Sequence, residues 1–565
     1  MVVTSPTNTT KSCTSHEHAI VRRSANYKPN QWDFASIQAL KSDYTEEAYG
    51  SLAMKLKEEV RLLFDSIEPL AQVRLIHKIQ RLGLGYHFEK EINGLLNAML
   101  SSGYHKVVQK NGLDDTAVLF MLLRQYGFMV SEEIFNDFKD DDGCFAESVS
   151  QDMKGLLGLY QASYLSFNGE KTLDEAREFA VKHLKVLDSS TSTLAREVSH
   201  ALDLPSHWSL QRLQVRRYID MYEIEEGMNS TLLYLAKLDF NMVQNIHQKE
   251  LINIICWWKN LSLGKKLSFA RDRILECFFV AVSIIFQPQF KSCLEWLPKI
   301  GALLVIIDDV FDVYGSFGEL EIFTGIIERW ETEEIENLPD YMKISFATIC
   351  NTVNEIANNL KEDDRSEIVC RLKKVWADLC KSFLQEAKWH HTKYMPTFTE
   401  YLNNGWISVS GPHVLFHVEV LLCQDQRKGS LDLFESCQRL VKLSSTIFRL
   451  CNDLATSSAE LERGDTPTSI ECYMREVGVS EITAREHISI IILQTWMEMN
   501  REFVSCSSRP RPFTDACVNL ARMAVSIYHQ GDRFGIPDHE MKESIQSLIM
   551  KPISLKEDDL TFSDQ

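Results

Sequence analysis

The chain has 565 residues, 45% hydrophobic and 25% charged, which is too long for a single core and predicts two to four domains. Its 60 Lys and Arg against 79 Asp and Glu give a formal charge of -19, which repels a phosphate backbone and excludes nucleic acid and anionic lipid as expected partners. The longest apolar runs, Phe278 to Phe286 and Ala302 to Ile307, fall short of the ~20 residues a bilayer span needs, so no membrane-crossing segment is expected.

Taken from the start, the first 21 residues carry eight Ser or Thr, no Arg and one acid, Glu17, and only partly resemble a plastid leader. Fourteen cysteines run from Cys13 to Cys517 without a CxxC pair or zinc-finger histidine spacing, and are expected as reduced core thiols in an intracellular compartment. Glycine and proline make up 38 residues, about 7% against roughly 12% in an average chain, so turns are few and helices long. Helical spacing recurs, as in Leu119, Leu122, Leu123 and Tyr126, or Leu156, Leu157, Tyr160 and Leu165. The fold class is therefore all-α. A polar tail covers 1–34, a first helical domain 35–222 with a break at Leu204-Pro205-Ser206, a second 223–555, and an acidic end 556–565. No repeat of fixed period is present.

In the second domain, Arg271 and Arg273 stand two apart just before the apolar run Cys277 to Phe286, where guanidiniums suit a diphosphate. Next comes Gly301-Ala-Leu-Leu-Val-Ile-Ile-Asp308-Asp309-Val-Phe-Asp312. Buried carboxylates need a partner. Asp308 and Asp312 share a helix face with Asp309 one position round, a donor set for a hard divalent cation. The acidic runs Asp140 to Asp142 and Glu362 to Asp364 lack an apolar lead-in and are expected to be solvated loops. His390 and His391 are expected at the surface. Further on, Asn452, Thr456 and Glu460 are spaced four and four on one helical stripe, with Arg449 three before Asn452, giving an amide, a hydroxyl and a carboxylate for a second metal site beside a phosphate-binding arginine.

These elements in this order, with Arg22-Arg23 and eight residues before Trp32, resemble plant terpene synthases of the metal-ionising class over residues 20 to 555. The resemblance implies an N-terminal α-barrel-like domain, a C-terminal terpenoid-synthase helical bundle, and a carbon–oxygen lyase that takes a prenyl diphosphate. It implies three Mg2+ ions, with Mn2+ able to substitute, held by Asp308, Asp309, Asp312, Asn452, Thr456 and Glu460. Arg271, Arg273 and Arg449 would hold the diphosphate, with Asp308, Asp312 and Asn452 also contacting substrate. Tyr528 and Asp532 resemble the family's pair on a closing loop, and Arg22, Arg23 and Trp32 a tail across the entrance. Metal ions and arginines make the diphosphate a leaving group, and the resulting carbocation needs a dry, aromatic-lined pocket. Phe278, Phe279, Phe448, Trp406 and Tyr528 are the aromatic candidates.

Two positions speak to the product. Cyclising relatives often carry an indole where this chain has Val280, and its loss favours early deprotonation to an acyclic olefin. The segments around Asp308 and Asn452 are similar to α-farnesene, β-ocimene and isoprene synthases. Isoprene synthases shorten the pocket with two phenylalanines; Phe448 matches one, but Gly301 stands at the other, against a five-carbon substrate. The roomy Val280 and Gly301 and the short N-terminus favour farnesyl diphosphate to α-farnesene in the cytoplasm. The alternatives are geranyl diphosphate to a β-ocimene, myrcene or linalool type product, a plastid location, and a non-catalytic prenyl-diphosphate-binding protein. A monomer or weak homodimer is expected.

Overall fold

The computed structural model describes residues 22–65, 67–103, 112–186, 192–331, 333–360, 362–426, 432–464 and 467–555. The serine- and threonine-rich first 21 residues and the acidic end 556–565 lie outside them. The structure is 76% helical. Among the described residues the sole extended pairing is the bridge of Lys139 with Phe145, which closes the exposed Asp140 to Gly143 turn. The other acidic run is not a loop: Glu362 opens the helix Glu362–Thr392, where its carboxylate suits the positive end of the helix dipole.

In the first half, the Leu113–Gln125 helix is buried almost all round and packs against Met153–Ser163 and Pro69–Arg81. Its two buried charges are both paired: Asp115 receives Arg74 at 2.7 and 2.8 Å, and Arg124 reaches Glu170 at 2.6 Å. Helix Thr193–Asp203 stops before Pro205, and the turn that follows inserts His207 and Trp208 against Trp496 of the second half, with ring centroids 5.4 Å apart in each pair.

The second half begins with the 32-residue helix Ser230–Leu261. Asn241, Gln244 and Gln248, three and four apart on one buried face, clasp the carbonyls of residues 548 to 553 and pin the chain end to this helix. Helices Ile274–Ile284, Lys291–Asp309, Gly411–Gln426, Gln438–Arg463 and Arg511–Tyr528 then pack pairwise in a closed circuit.

The stretch Phe398–Asp425 has the length and apolar character of a bilayer span. It is two helices bent at Ser410, whose φ is +68°, and 67% of its most apolar window is buried inside the protein, as in a core element. The cysteines also divide: eight of the thirteen described are buried, but Cys144, Cys256 and Cys370 are exposed rather than in the core.

Candidate active site between two polar helix faces

The apolar run from Ala302 to Ile307 buries helix Lys291–Asp309 up to its end, where the carboxylates begin. There the helix widens into a π-turn, Val310–Tyr314, closed by Gly315 N–H donating to the Val310 carbonyl at 2.8 Å. Such turns are frequent at functional sites. The three aspartates differ in their surroundings. Asp309 is fully buried and turned to Arg271, whose backbone N–H and Nε donate to its Oδ2 at 2.7 and 3.2 Å, with Nη2 2.9 Å from Oδ1. Burial pushes the Asp309 carboxyl up, and the Arg271 guanidinium opposes that. Asp308 is one-third exposed and takes a further ion pair from Arg271 Nη2. Asp312 is exposed beside a cleft of about 200 Å³ lined by Arg22, Arg23, Tyr314, His390 and His391. Asp309 is thus the buried anchor of Arg271.

Arg273 is not with Arg271. It is buried, and its Nη2 donates to the carbonyls of Lys28 and Gly535 at 3.1 and 2.9 Å, tying the N-terminal strap to the loop after Tyr528. Two residues apart in extended chain put successive arginines on the same side, but Arg273 caps helix Ile274–Ile284 and is turned by it.

Opposite stands helix Gln438–Arg463. Asn452, Thr456 and Glu460 line one stripe; Thr456 Oγ1 donates back to the Asn452 carbonyl at 3.0 Å. Burial and the neighbouring Asp453 charge push Glu460 up to about 7. Arg449 lies across the helix because Gly405 has no side chain: a Cβ there would come 3.1 Å from Arg449 Cγ. Its Nε donates to the Gly405 carbonyl at 3.2 Å, its Nη2 to Ser408 at 3.1 Å, and its Nη1 approaches Asn452 Oδ1 at 3.4 Å. Tyr528 stacks on Phe448, with centroids 6.2 Å apart, and its phenol meets Asn452. Asp532 caps its own turn instead, accepting the Gly535 N–H at 2.7 Å.

The pocket candidates separate. Val280, Gly301, Phe448 and Tyr528 keep partial exposure, whereas Phe278 and Phe279 are sealed in the core. Trp406 is met by the exposed Lys442 ammonium, 5.5 Å from its ring. Gly301 is less roomy than its missing side chain suggests: a Cβ would sit 3.3 Å from Cys277 Cβ and 3.4 Å from Sγ, because the facing helix already fills that space. His390 is half-buried, with Nε2 3.0 Å from the Gly464 carbonyl, while exposed His391 stacks on Phe317.

Three residues escaped the sequence reading. Asp453 is completely buried, accepts the Tyr401 hydroxyl at 2.9 Å and the Ser469 N–H at 3.1 Å, and lies 3.4 Å from Arg449. Glu386 accepts from Ser408 and Asn404 at 2.5 and 3.1 Å, with Arg449 and Asp308 as charged neighbours. Nothing in its local sequence marks it. Tyr27, within the Arg22 to Trp32 segment, places its ring 5.0 Å from the Arg271 guanidinium.

Hard oxygen donors on two helices, each beside an arginine, suit divalent cations and a diphosphate. Burial pushing Glu460 up marks a carboxylate that a cation would stabilise. An all-helical pair of domains with such a site defines the class, and the chain belongs to the terpene synthases: the family model for the metal-binding domain matches residues 259–498, and that for the N-terminal domain residues 31–202. It is a lyase acting on prenyl diphosphates. It is 45% identical to an (-)-alpha-terpineol synthase of Vitis vinifera over 95% of this chain and 92% of that one. It is 44% identical to a chloroplastic myrcene synthase of Quercus ilex, over 95% and 91%, and to a chloroplastic isoprene synthase of Populus alba, over 94% and 90%. Among solved structures, isoprene synthase of grey poplar with three Mg2+ ions and dimethylallyl-S-thiolodiphosphate superposes with a TM-score of 0.84 at 43% identity, covering 93% of this chain and 99% of that one. A limonene synthase with 2-fluorolinalyl diphosphate gives 0.90 at 36%, covering 94% and 100%. The chloroplastic relatives overturn the cytoplasmic expectation, which rested on a short N-terminus.

Proposed function

We propose that the protein is a plastid monoterpene synthase that ionises geranyl diphosphate and releases an acyclic olefin of the β-ocimene or myrcene type. The observation that carries the ten-carbon choice is the Gly301 to Cys277 contact, which removes the extra room that favoured a fifteen-carbon chain. Relatives named for monoterpenes support the same choice over α-farnesene. Val280 in place of an indole supports the acyclic outcome.

In this reading Asp308 and Asp312 on one side, and Asn452, Thr456 and Glu460 on the other, hold three Mg2+ ions, and Mn2+ substitutes on the same oxygens. When bound, the ions draw charge from the diphosphate and make it a leaving group. Arg271 and Arg449 bind the diphosphate oxygens. Phe448 and Tyr528 present ring faces to the allylic cation, and Val280 and Gly301 shape the apolar wall. The cation loses a proton to the departed diphosphate, forming the terminal C=C bond. All these residues come from one chain, so a monomer suffices. The catalytic domain spans 223–555 and the N-terminal helical domain 35–222, divided where helix Gln211–Tyr222 ends.

The test is gas chromatography and mass spectrometry of products from purified protein with Mg2+ and dimethylallyl, geranyl or farnesyl diphosphate supplied separately. An acyclic C10 olefin from geranyl diphosphate is expected. Turnover of only the C5 or C15 substrate, or of none, would overturn the proposal.

A further inference from the structure

The segment from Arg22 to Trp32 crosses the mouth of the bundle as an extended strap, pinned on both sides of Tyr27. Before it, Arg22 binds Glu319 at 2.8 and 2.9 Å and the Tyr314 carbonyl at 3.1 Å, its guanidinium 4.8 Å from both the Tyr314 and Tyr341 rings. Arg23 donates to the Asp312 carbonyl at 3.2 Å. After it, the Lys28 carbonyl accepts from Arg273, and Trp32 Nε1 donates to Glu276 at 2.9 Å. Asn26, in the left-handed region at φ +49°, turns the chain so that Tyr27 points inward. The Tyr27 ring lies over Arg271, and the charges facing it are Arg271, Asp308, Asp309 and Asp312. Arg271 is therefore held between an aromatic face and two carboxylates.

We propose that Tyr27 is a positioning residue for the lyase reaction: its ring, delivered by the strap, orients Arg271 for the diphosphate and keeps water from the ionised substrate. A guanidinium is attracted to a ring face, and the ring covers the side of Arg271 that would otherwise meet solvent. The cation has two exits. Deprotonation breaks a C–H bond, places its electron pair in a new C=C bond and passes the proton to diphosphate. Capture by water forms a C–O bond and releases a proton from the added water to the same base, giving an alcohol. By shielding the leaving-group side, Tyr27 biases the outcome to the olefin. This inference rests on the terpene-synthase reading of the site.

The test compares Tyr27→Ala and Tyr27→Phe in two assays. With geranyl diphosphate in 18O-labelled water, Tyr27→Ala should raise the ratio of 18O-labelled alcohol to olefin about fivefold and raise KM about tenfold more than it lowers kcat, while Tyr27→Phe stays within about twofold of the parent. By calorimetry with inorganic diphosphate and Mg2+, Tyr27→Ala should bind about tenfold more weakly, with the phenylalanine variant unchanged. Unaltered diphosphate affinity in Tyr27→Ala, or equal losses in both variants, would overturn the role of the ring. If the parent turns over no prenyl diphosphate yet the calorimetric difference appears, the synthase reading fails and the positioning of Arg271 stands.

Discussion

Asp453 Oδ1 stands 3.4 Å from Arg449 Nη1 one turn earlier on the same helix, and the same oxygen accepts the Tyr401 hydroxyl. A carboxylate with no solvent exposure thus holds both the proposed diphosphate-binding arginine and the neighbouring helix Phe398–Ser408. Removing its charge leaves Arg449 buried without its closest counter-ion. Asp453→Asn should destabilise the protein by about 3 to 5 kcal/mol, as expected for a broken buried pair, and lower kcat/KM at least about a hundredfold. Tyr401→Phe, which loses one hydrogen bond, should cost only about 1 kcal/mol. Urea unfolding beside steady-state kinetics would check both, and equal losses in the two variants would contradict the assignment.

Asp308 and Asp309 are adjacent but differ in burial, so their amide variants should separate function from folding. Asp309→Asn strips a sealed ion pair and should lower thermal stability clearly along with activity. Asp308→Asn, at a position one-third exposed, should abolish turnover at nearly parental melting temperature. Calorimetric melts with and without Mg2+ distinguish them: the Mg2+-induced rise in melting temperature should vanish in Asp308→Asn.

Gly301→Phe tests the chain-length wall. Its Cβ would be crowded by Cys277, so the ring has to extend past that side chain, at about 1 to 3 kcal/mol of overpacking. Together with Phe448, as the resemblance to isoprene synthases implies, it should shorten the pocket and shift kcat/KM toward dimethylallyl over geranyl diphosphate at least about tenfold, equivalent to about 1.4 kcal/mol. Competition assays with both substrates would measure the shift. An unchanged ratio would mean that Gly301 does not border the substrate.

His207 joins the two halves and should make that contact acid-sensitive. Its Nε2 lies 2.8 Å from Asn500 Oδ1, its carbonyl accepts from Arg522 Nε at 2.8 Å, and Arg522 Nη2 lies 3.3 Å from its Nδ1. Burial, aided by the Arg522 charge, pushes its pKa down to about 3 from the ordinary 6.5. The unfolded chain therefore binds more protons between these values, so stability is lost as pH falls below 6.5, by about 2 kcal/mol at pH 5 for this one imidazole. His207→Gln should be less stable at pH 7 but show a shallower decline from pH 6.5 to 5 in urea melts. Parallel curves would remove His207 from the titration.

Much of the architecture was legible in one dimension, because helix period, scarce glycine and proline, and the spacing of Asp308, Asp312, Asn452, Thr456 and Glu460 are local properties of the chain. The terpene-synthase class followed from those motifs in order. What spacing could not convey was direction after packing. A π-turn at Val310–Tyr314 re-aims Asp312, the start of a helix turns Arg273 to the strap, and Cys277 crowds the space beside Gly301. Glu386, Asp453 and Tyr27 gain their roles from partners on other elements, such as Asn404, Tyr401 and Arg271, since a buried charge or a ring is assigned by what it touches in three dimensions. The sequence by itself determined which chemical groups this protein has and on which helices; the tertiary structure alone decided which of them meet, because desolvation and counter-charge depend on neighbours that only folding supplies.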